Sequence, residues 1–226
     1  MSLKQPQFVE NPEPRCLAML LLDTSYSMRL DGAIQELNKG IAILKQELER
    51  DEVASLRVEV AIVTFGGDKP QLVSDFATVD EFKPPQLTAN GSTPMGQAIE
   101  LALDKVEERK QIIRNANLGL YRPWVFLITD GEPTDNWENA AQRVRSGDAN
   151  KKFAFFAVGV RNANMEILGE IAPLNTPPLL LDGLKFKELF LWLSGSLQAV
   201  SVSQPGEQIE TPSISGWTTM ETAQYL

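Results

Sequence analysis

The sequence predicts a doubly wound α/β fold, with a mostly parallel sheet, helices on both of its faces and one antiparallel edge strand. Three observations predict it. The runs Leu17 to Leu22, Trp124 to Ile128 and Phe153 to Val160 are short, nearly continuous apolar stretches, as suits strands buried on both faces. Segments with apolar residues at helical spacing alternate with these runs, which is the order of parallel βαβ units. One pair of extended segments, Arg57 to Phe65 and Gln71 to Phe76, is joined by a turn too short for a crossover helix, so that pair reads as an antiparallel hairpin at an edge.

Each element follows in order. Leu17 to Leu22 is the first strand, and Gly32 to Arg50 carries Ile34, Leu37, Ile41, Leu44 and Leu48 along one helical face. The hairpin comes next, with Gly66-Gly67, Asp68 and Pro70 in its turn. Pro94 to Ile113 reads as a helix that opens on proline, where the missing amide costs nothing. Trp124 to Thr129 is a strand, Asn136 to Arg145 a helix, Phe153 to Val160 a strand and Met165 to Ile171 a short helix. Leu179 to Leu181 is a last strand and Lys185 to Val200 a closing helix, whose Phe186, Phe190 and Trp192 sit at the spacing of core residues. Right-handed crossovers then place the loop after the first strand, the loop Asn90 to Pro94 and the loop after the fourth strand together at the carboxyl end of the sheet.

A chain of 226 residues fits one domain with extensions, placed at 1–15, 16–200 and 201–226. The last segment is rich in Ser, Thr, Pro and Gly without sustained periodicity and reads as an extension draped on the domain or partly disordered, and one of its Glu207, Glu210 and Glu221 is a candidate ligand for the cation site of its own or a neighbouring molecule. A net charge of −9 disfavours nucleic acid and anionic membranes as partners. The chain has no histidine, which removes Ser-His-Asp and Cys-His catalysis as usually built. Neither a dinucleotide fingerprint nor a phosphate-binding P-loop appears. The lone Cys16 lies beside an apolar strand and reads as a buried thiol, and with no apolar leader in Met1 to Arg15 the pattern favours the cytoplasm. No apolar run approaches the ~20 residues that span a bilayer.

The chemistry concentrates in three loops. Asp23-Thr24-Ser25-Tyr26-Ser27 stands where the first strand stops, and in an extended segment Asp23, Ser25 and Ser27 project the same way. Asn90-Gly91-Ser92-Thr93-Pro94 offers a further hydroxyl at Thr93, and Thr129-Asp130-Gly131-Glu132 a second acid at Asp130. Carboxylate and hydroxyl oxygens suit a hard divalent cation, Mg²⁺ before Ca²⁺ or Mn²⁺. Taken singly, each segment is ordinary capping and turn chemistry. Taken together, at strand ends in one chain order, they point to a metal site.

With these residues in view, the chain resembles the von Willebrand factor type A (VWA) domains and their metal-ion-dependent adhesion site. The stretches Leu21 to Ser25, Pro123 to Thr134 and Phe153 to Val160 look like the TerY group of bacterial proteins associated with tellurite resistance and stress. The resemblance implies that Ser25, Ser27 and Thr93 bind the cation through hydroxyls, while Asp23 and Asp130 act through water or by orienting those ligands. It implies a protein partner whose Asp or Glu fills an open coordination position, with Tyr26, Met28, Asn90 and Glu132 around it. Tyr26 departs from the pattern, since many members carry glycine there. No catalysis is expected. An alternative is a haloacid-dehalogenase-like phosphotransferase with Asp23 as nucleophile, but Ser25 stands where a second acid belongs. Another is a scaffold whose metal site stays empty.

Overall fold

The computed structural model describes residues 10–204, 207 and 213–218. A six-stranded sheet runs in the order β3-β2-β1-β4-β5-β6. Its strands are β1 (Cys16–Asp23), β2 (Val58–Phe65), β3 (Gln71–Thr78), β4 (Trp124–Thr129), β5 (Ala154–Val160) and β6 (Leu179–Leu181). Among the strands of the described residues only the β2–β3 pair is antiparallel, and β3 lies at one edge of the sheet. The helices are α1 (Ala33–Glu49), α2 (Glu52–Arg57), α3 (Met95–Asn115), α4 (Glu138–Ala149), α5 (Met165–Ile171) and α6 (Phe186–Val202).

The two-residue period of the strands sorts their side chains onto two cores. Ala18, Leu20, Leu22, Phe126, Phe156 and Val158 pack on one face with Leu37, Ile41 and Leu44 of α1 and Phe186, Phe190 and Trp192 of α6. Leu17, Met19, Leu21, Val125, Leu127 and Phe155 pack on the other with Ile99, Leu103 and Val106 of α3 and Val144 of α4. The aromatic stripe of α6 is therefore core. Its close fit shows at Gly40 of α1, where an added Cβ would stand 2.3 Å from the ring of Phe190. Cys16 is buried, which pushes its thiol up to about 12.

Apolar periodicity gives no sign of α2. Asp51 starts it instead, its carboxylate accepting from the amides of Val53 at 3.0 Å and Ala54 at 2.8 Å. Parts of both flanking segments pack on the domain. Arg15 is buried at the amino end of the sheet, its amide donating to Gly119 O and its carbonyl accepting from Tyr121 N. Trp217 lies 5.3 Å from Trp192, and Thr218 forms an antiparallel bridge with Leu181 that covers part of β6. Glu207 sits next to the Gln204 amide, close to Ser203, whose carbonyl accepts from Tyr121 at the amino end of the sheet. That is the wrong end for a ligand to its own cation site. Glu210 and Glu221 lie outside the described residues.

Strand order reverses at β1. The chain moves from β1 to β2 on one side and later returns to place β4 on the other, so the carboxyl ends of β1 and β4 border the switch point where open α/β sheets hold ligands. Asp23 ends β1, and Asp130 follows β4.

Candidate metal centre

Beyond Asp23 the backbone does not stay extended. Ser25 still lies at φ −67°, ψ 170°, but a 3₁₀ turn, Tyr26–Gly32, begins at the next residue. The alternation expected of a strand therefore ends before Ser27, and a turn brings the three side chains together instead. The Ser25 amide donates to Asp23 Oδ1 at 2.7 Å, which closes the turn, and Ser25 Oγ and Ser27 Oγ stand 3.0 Å apart. Ser27 Oγ donates to Asp130 Oδ1 at 2.6 Å, across 103 residues of chain.

Thr93 joins through the loop before α3. Its amide donates to Thr134 Oγ1 at 3.1 Å and its carbonyl accepts from Thr134 N at 2.9 Å. Asp135, next in the chain, caps α3 by accepting from Gly96 N at 3.0 Å and Gln97 N at 2.8 Å. The loop after β4 thus fixes the position of Thr93. Gly91 has φ +73° and passes so close to Gly67 that an added Cβ would stand 2.3 Å from its Cα, so glycine is required there on both counts.

Gly131 locates the common point of these oxygens. A Cβ built on it would lie 3.4 Å from Thr93 Oγ1, 3.6 Å from Asp23 Oδ2 and 3.8 Å from Ser27 Oγ. All five residues expected at the site, Asp23, Ser25, Ser27, Thr93 and Asp130, are thereby gathered at the carboxyl end of the sheet. Ser27 is half-buried and the other four are buried, so Ser27 marks the mouth. Hydroxyl and carboxylate oxygens in one small space fit a hard cation. Among the described residues no three His, Cys, Asp or Glu side chains converge, so the donor set is two acids with neutral hydroxyls. That composition is unlike a structural zinc site.

Burial dominates the electrostatics of Asp23. It raises the carboxyl to about 6, against hydrogen bonds from Ser25 and Thr129 that favour the anion, with nearby Asp130 raising it further. Thr129 Oγ1 donates to Asp23 Oδ2 at 2.5 Å and accepts from Gly131 N at 3.1 Å.

Four further residues shape the site without a role that the sequence alone assigns them. Thr129, Thr134 and Asp135 lie in the stretch that carries Asp130, and only their polar character hinted at a role. Arg161 had no local signal. It follows β5 at φ +54°, with its guanidinium 3.7 Å from Asp130 Oδ2 and 3.6 Å from Asp31 Oδ2, and it donates to the Leu30 carbonyl. At the rim Tyr26 is 60% exposed and stacks against Arg29, whose guanidinium carbon is 5.2 Å from the ring centroid. Asn90 and Glu132 are exposed as well. Met28 is not: its side chain is fully buried in the core under the turn, so it cannot contact a partner.

The model of the von Willebrand factor type A domain matches residues 19–178. The chain belongs to that family. VWA domains are in general metal-dependent protein-interaction modules. Matrilin-3 of Gallus gallus is 26% identical over 155 residues, which is 66% of this chain but 32% of that protein. Among solved structures, proximal thread matrix protein 1 from the mussel byssus, with a zinc-occupied MIDAS motif, aligns at TM-score 0.55 and 15% identity over 82% of this chain and 48% of that one. The pilus adhesin SpaC of Lactobacillus rhamnosus GG, in its open conformation, aligns at TM-score 0.65 and 10% identity over 83% and 30%. The VWA chain therefore spans about a third of matrilin-3 and about half of the mussel protein.

Proposed function

We propose that this VWA chain is a divalent-cation-dependent protein-recognition module with Mg²⁺ as its resident ion. The observation that carries the reading is the convergence of Thr93 Oγ1, Asp23 Oδ2 and Ser27 Oγ on the space in front of Gly131. A divalent cation held there supplies a Lewis-acid position that a partner's Asp or Glu completes. Ser25, Ser27 and Thr93 would offer neutral oxygens to the ion. Asp23, fixed by the Ser25 amide and the Thr129 hydroxyl, and Asp130, which accepts from Ser27, would orient those hydroxyls and balance part of the charge. Tyr26, Asn90 and Glu132 would meet the residues that flank the partner's acid.

A phosphotransferase fits less well. Its nucleophile would be Asp23, yet that carboxylate is fully buried and each of its oxygens accepts a hydrogen bond. No proton-transfer partner beyond Asp130 stands beside it among the groups described above. We therefore favour a non-enzymatic role. The further reading is an adaptor in a bacterial tellurite-resistance or stress system, acting in the cytoplasm, and it rests on the likeness to the TerY group.

The test is affinity capture with the purified chain in Mg²⁺ and in EDTA, with Thr93→Ala as control. Acid-bearing partners retained only in Mg²⁺, and lost in the variant, support the module. Capture unaffected by EDTA would count against it.

A further inference from the structure

Arg161 is a cation built into a site whose expected ligand is itself a cation. Its guanidinium reaches Asp130, Asp31 and the Leu30 carbonyl, and its side chain is 16% exposed, whereas that of Asp31 is 85% exposed. Water therefore screens its contact with Asp31 far more than its contact with Asp130. The backbone is committed to this arrangement as well. The described residues include four non-glycine residues at positive φ, and two of them, Asp31 at 49° and Arg161 at 54°, are partners in this contact. Such conformations persist where the surroundings overdetermine them, and they gather at functional sites.

Counting charge gives the consequence. Asp23, Asp130 and Arg161 together carry one net negative charge, which repels an approaching carboxylate. With a divalent cation held among them the same groups carry one net positive charge. Without Arg161 the loaded site would be neutral, and the attraction for an acidic partner would rest on coordination alone.

We propose that Arg161 is a specificity-determining residue that makes carboxylate capture conditional on the metal, a proposal that rests on the cation-dependent reading above. It weakens binding of the ion itself, because like charges repel, and it strengthens binding of the partner's acid to the loaded site. The two effects have opposite signs, and a merely structural residue does not produce that pattern. Arginine suits the task because its fork can hold the Leu30 carbonyl while facing Asp130.

The experiment uses the whole chain, Mn²⁺ as the metal and acetate as the carboxylate, at constant ionic strength. Mn²⁺ affinity is read from electron paramagnetic resonance of the free ion. Acetate binding is read from the fall in water-proton relaxation as it displaces water from the bound ion. In Arg161→Gln, Mn²⁺ affinity should rise about threefold to tenfold while acetate affinity falls by a similar factor. Arg161→Lys, which keeps the charge, should hold both values near those of the native chain. A fall in both affinities in Arg161→Gln, or no change in either, overturns the proposal, as does a lysine variant that behaves like the glutamine one. Absence of Mn²⁺ binding in the native chain would instead remove the cation-dependent reading, and this inference with it.

Discussion

At the amino end of the sheet Glu59 is buried between two guanidiniums, whereas at the carboxyl end Asp23 is buried among neutral donors. Glu59 accepts from Arg15 Nε at 3.0 Å and from Arg109 Nε and Nη2 at 2.6 and 2.7 Å, a matched cluster that the chain completes by itself. Asp23 has a hydroxyl and an amide for partners, and its neighbour Asp130 meets Arg161 only at 3.7 Å. Of the two buried acids at this end only Asp130 meets a guanidinium, whereas the one buried acid at the other end has two. A cavity of about 240 Å³ opens at the amino end, beside Arg15, Thr78 and Arg109. A cavity by itself does not make that end a ligand site. Uncompensated charge favours the other, and charge is the better guide, because desolvating an unmatched carboxylate is a cost that folding alone would select against.

The largest effect that could break this contrast is at Glu59. Glu59→Gln sets an amide donor against Arg15, which is 1% exposed, and should cost about 3–5 kcal/mol in urea unfolding, equally with Mg²⁺ and with EDTA. A loss under about 1 kcal/mol, or one that Mg²⁺ restores, would show that the amino end is not a self-contained structural cluster.

Asp23 should behave in the opposite sense. Its carboxyl is raised from an ordinary 3.8 to about 6, so between those values the folded state holds a proton that the unfolded chain has released. Stability from this group is complete below the lower value and is lost as pH rises through the upper one. The metal-free protein should therefore lose on the order of 3 kcal/mol from this group between about pH 3 and pH 7.5. Asp23→Asn should flatten that slope, and Mg²⁺ should restore stability at pH 7.5 more than at pH 4.5. Identical pH profiles for the native chain and the variant would mean that burial does not strain this carboxylate.

The contrast was only half legible in the sequence. Strands β1, β4 and β5 announce themselves as continuous apolar runs because both faces are covered, and helices α1 and α3 by their 3.6-residue period. Helix α2 is six residues long and begins on a side-chain cap, so periodicity had nothing to act on. Asp23, Ser25 and Ser27 were readable because they are adjacent in the chain. Arg161 and Asp130 are neighbours only after β4 and β5 pair in parallel, and Arg15, Glu59 and Arg109 meet across three elements. Met28 was misjudged for a related reason: between exposed Tyr26 and Arg29 a turn residue looks external, but the 3₁₀ turn points it inward.

The smallest structural change should give the sharpest functional one. Gly131 is not among the glycines with positive φ, so alanine there does not meet the left-handed penalty, and the main change is in the space in front of it. That space is the one bordered by Thr93, Asp23 and Ser27, and at 3.4–3.8 Å a methyl touches their oxygens without clashing. Gly131→Ala should therefore leave unfolding within about 1 kcal/mol of the native chain, helped by the reduced freedom of the unfolded state. It should also lower Mg²⁺ affinity by about tenfold or more, since a methyl excludes the ion, or its waters, from the point where the oxygens meet. Calorimetric Mg²⁺ titration beside urea unfolding separates the two quantities. A variant that binds Mg²⁺ as tightly as the native chain would move the cation away from Gly131, and a variant that loses stability and affinity together would make this end of the sheet as structural as the cluster around Glu59.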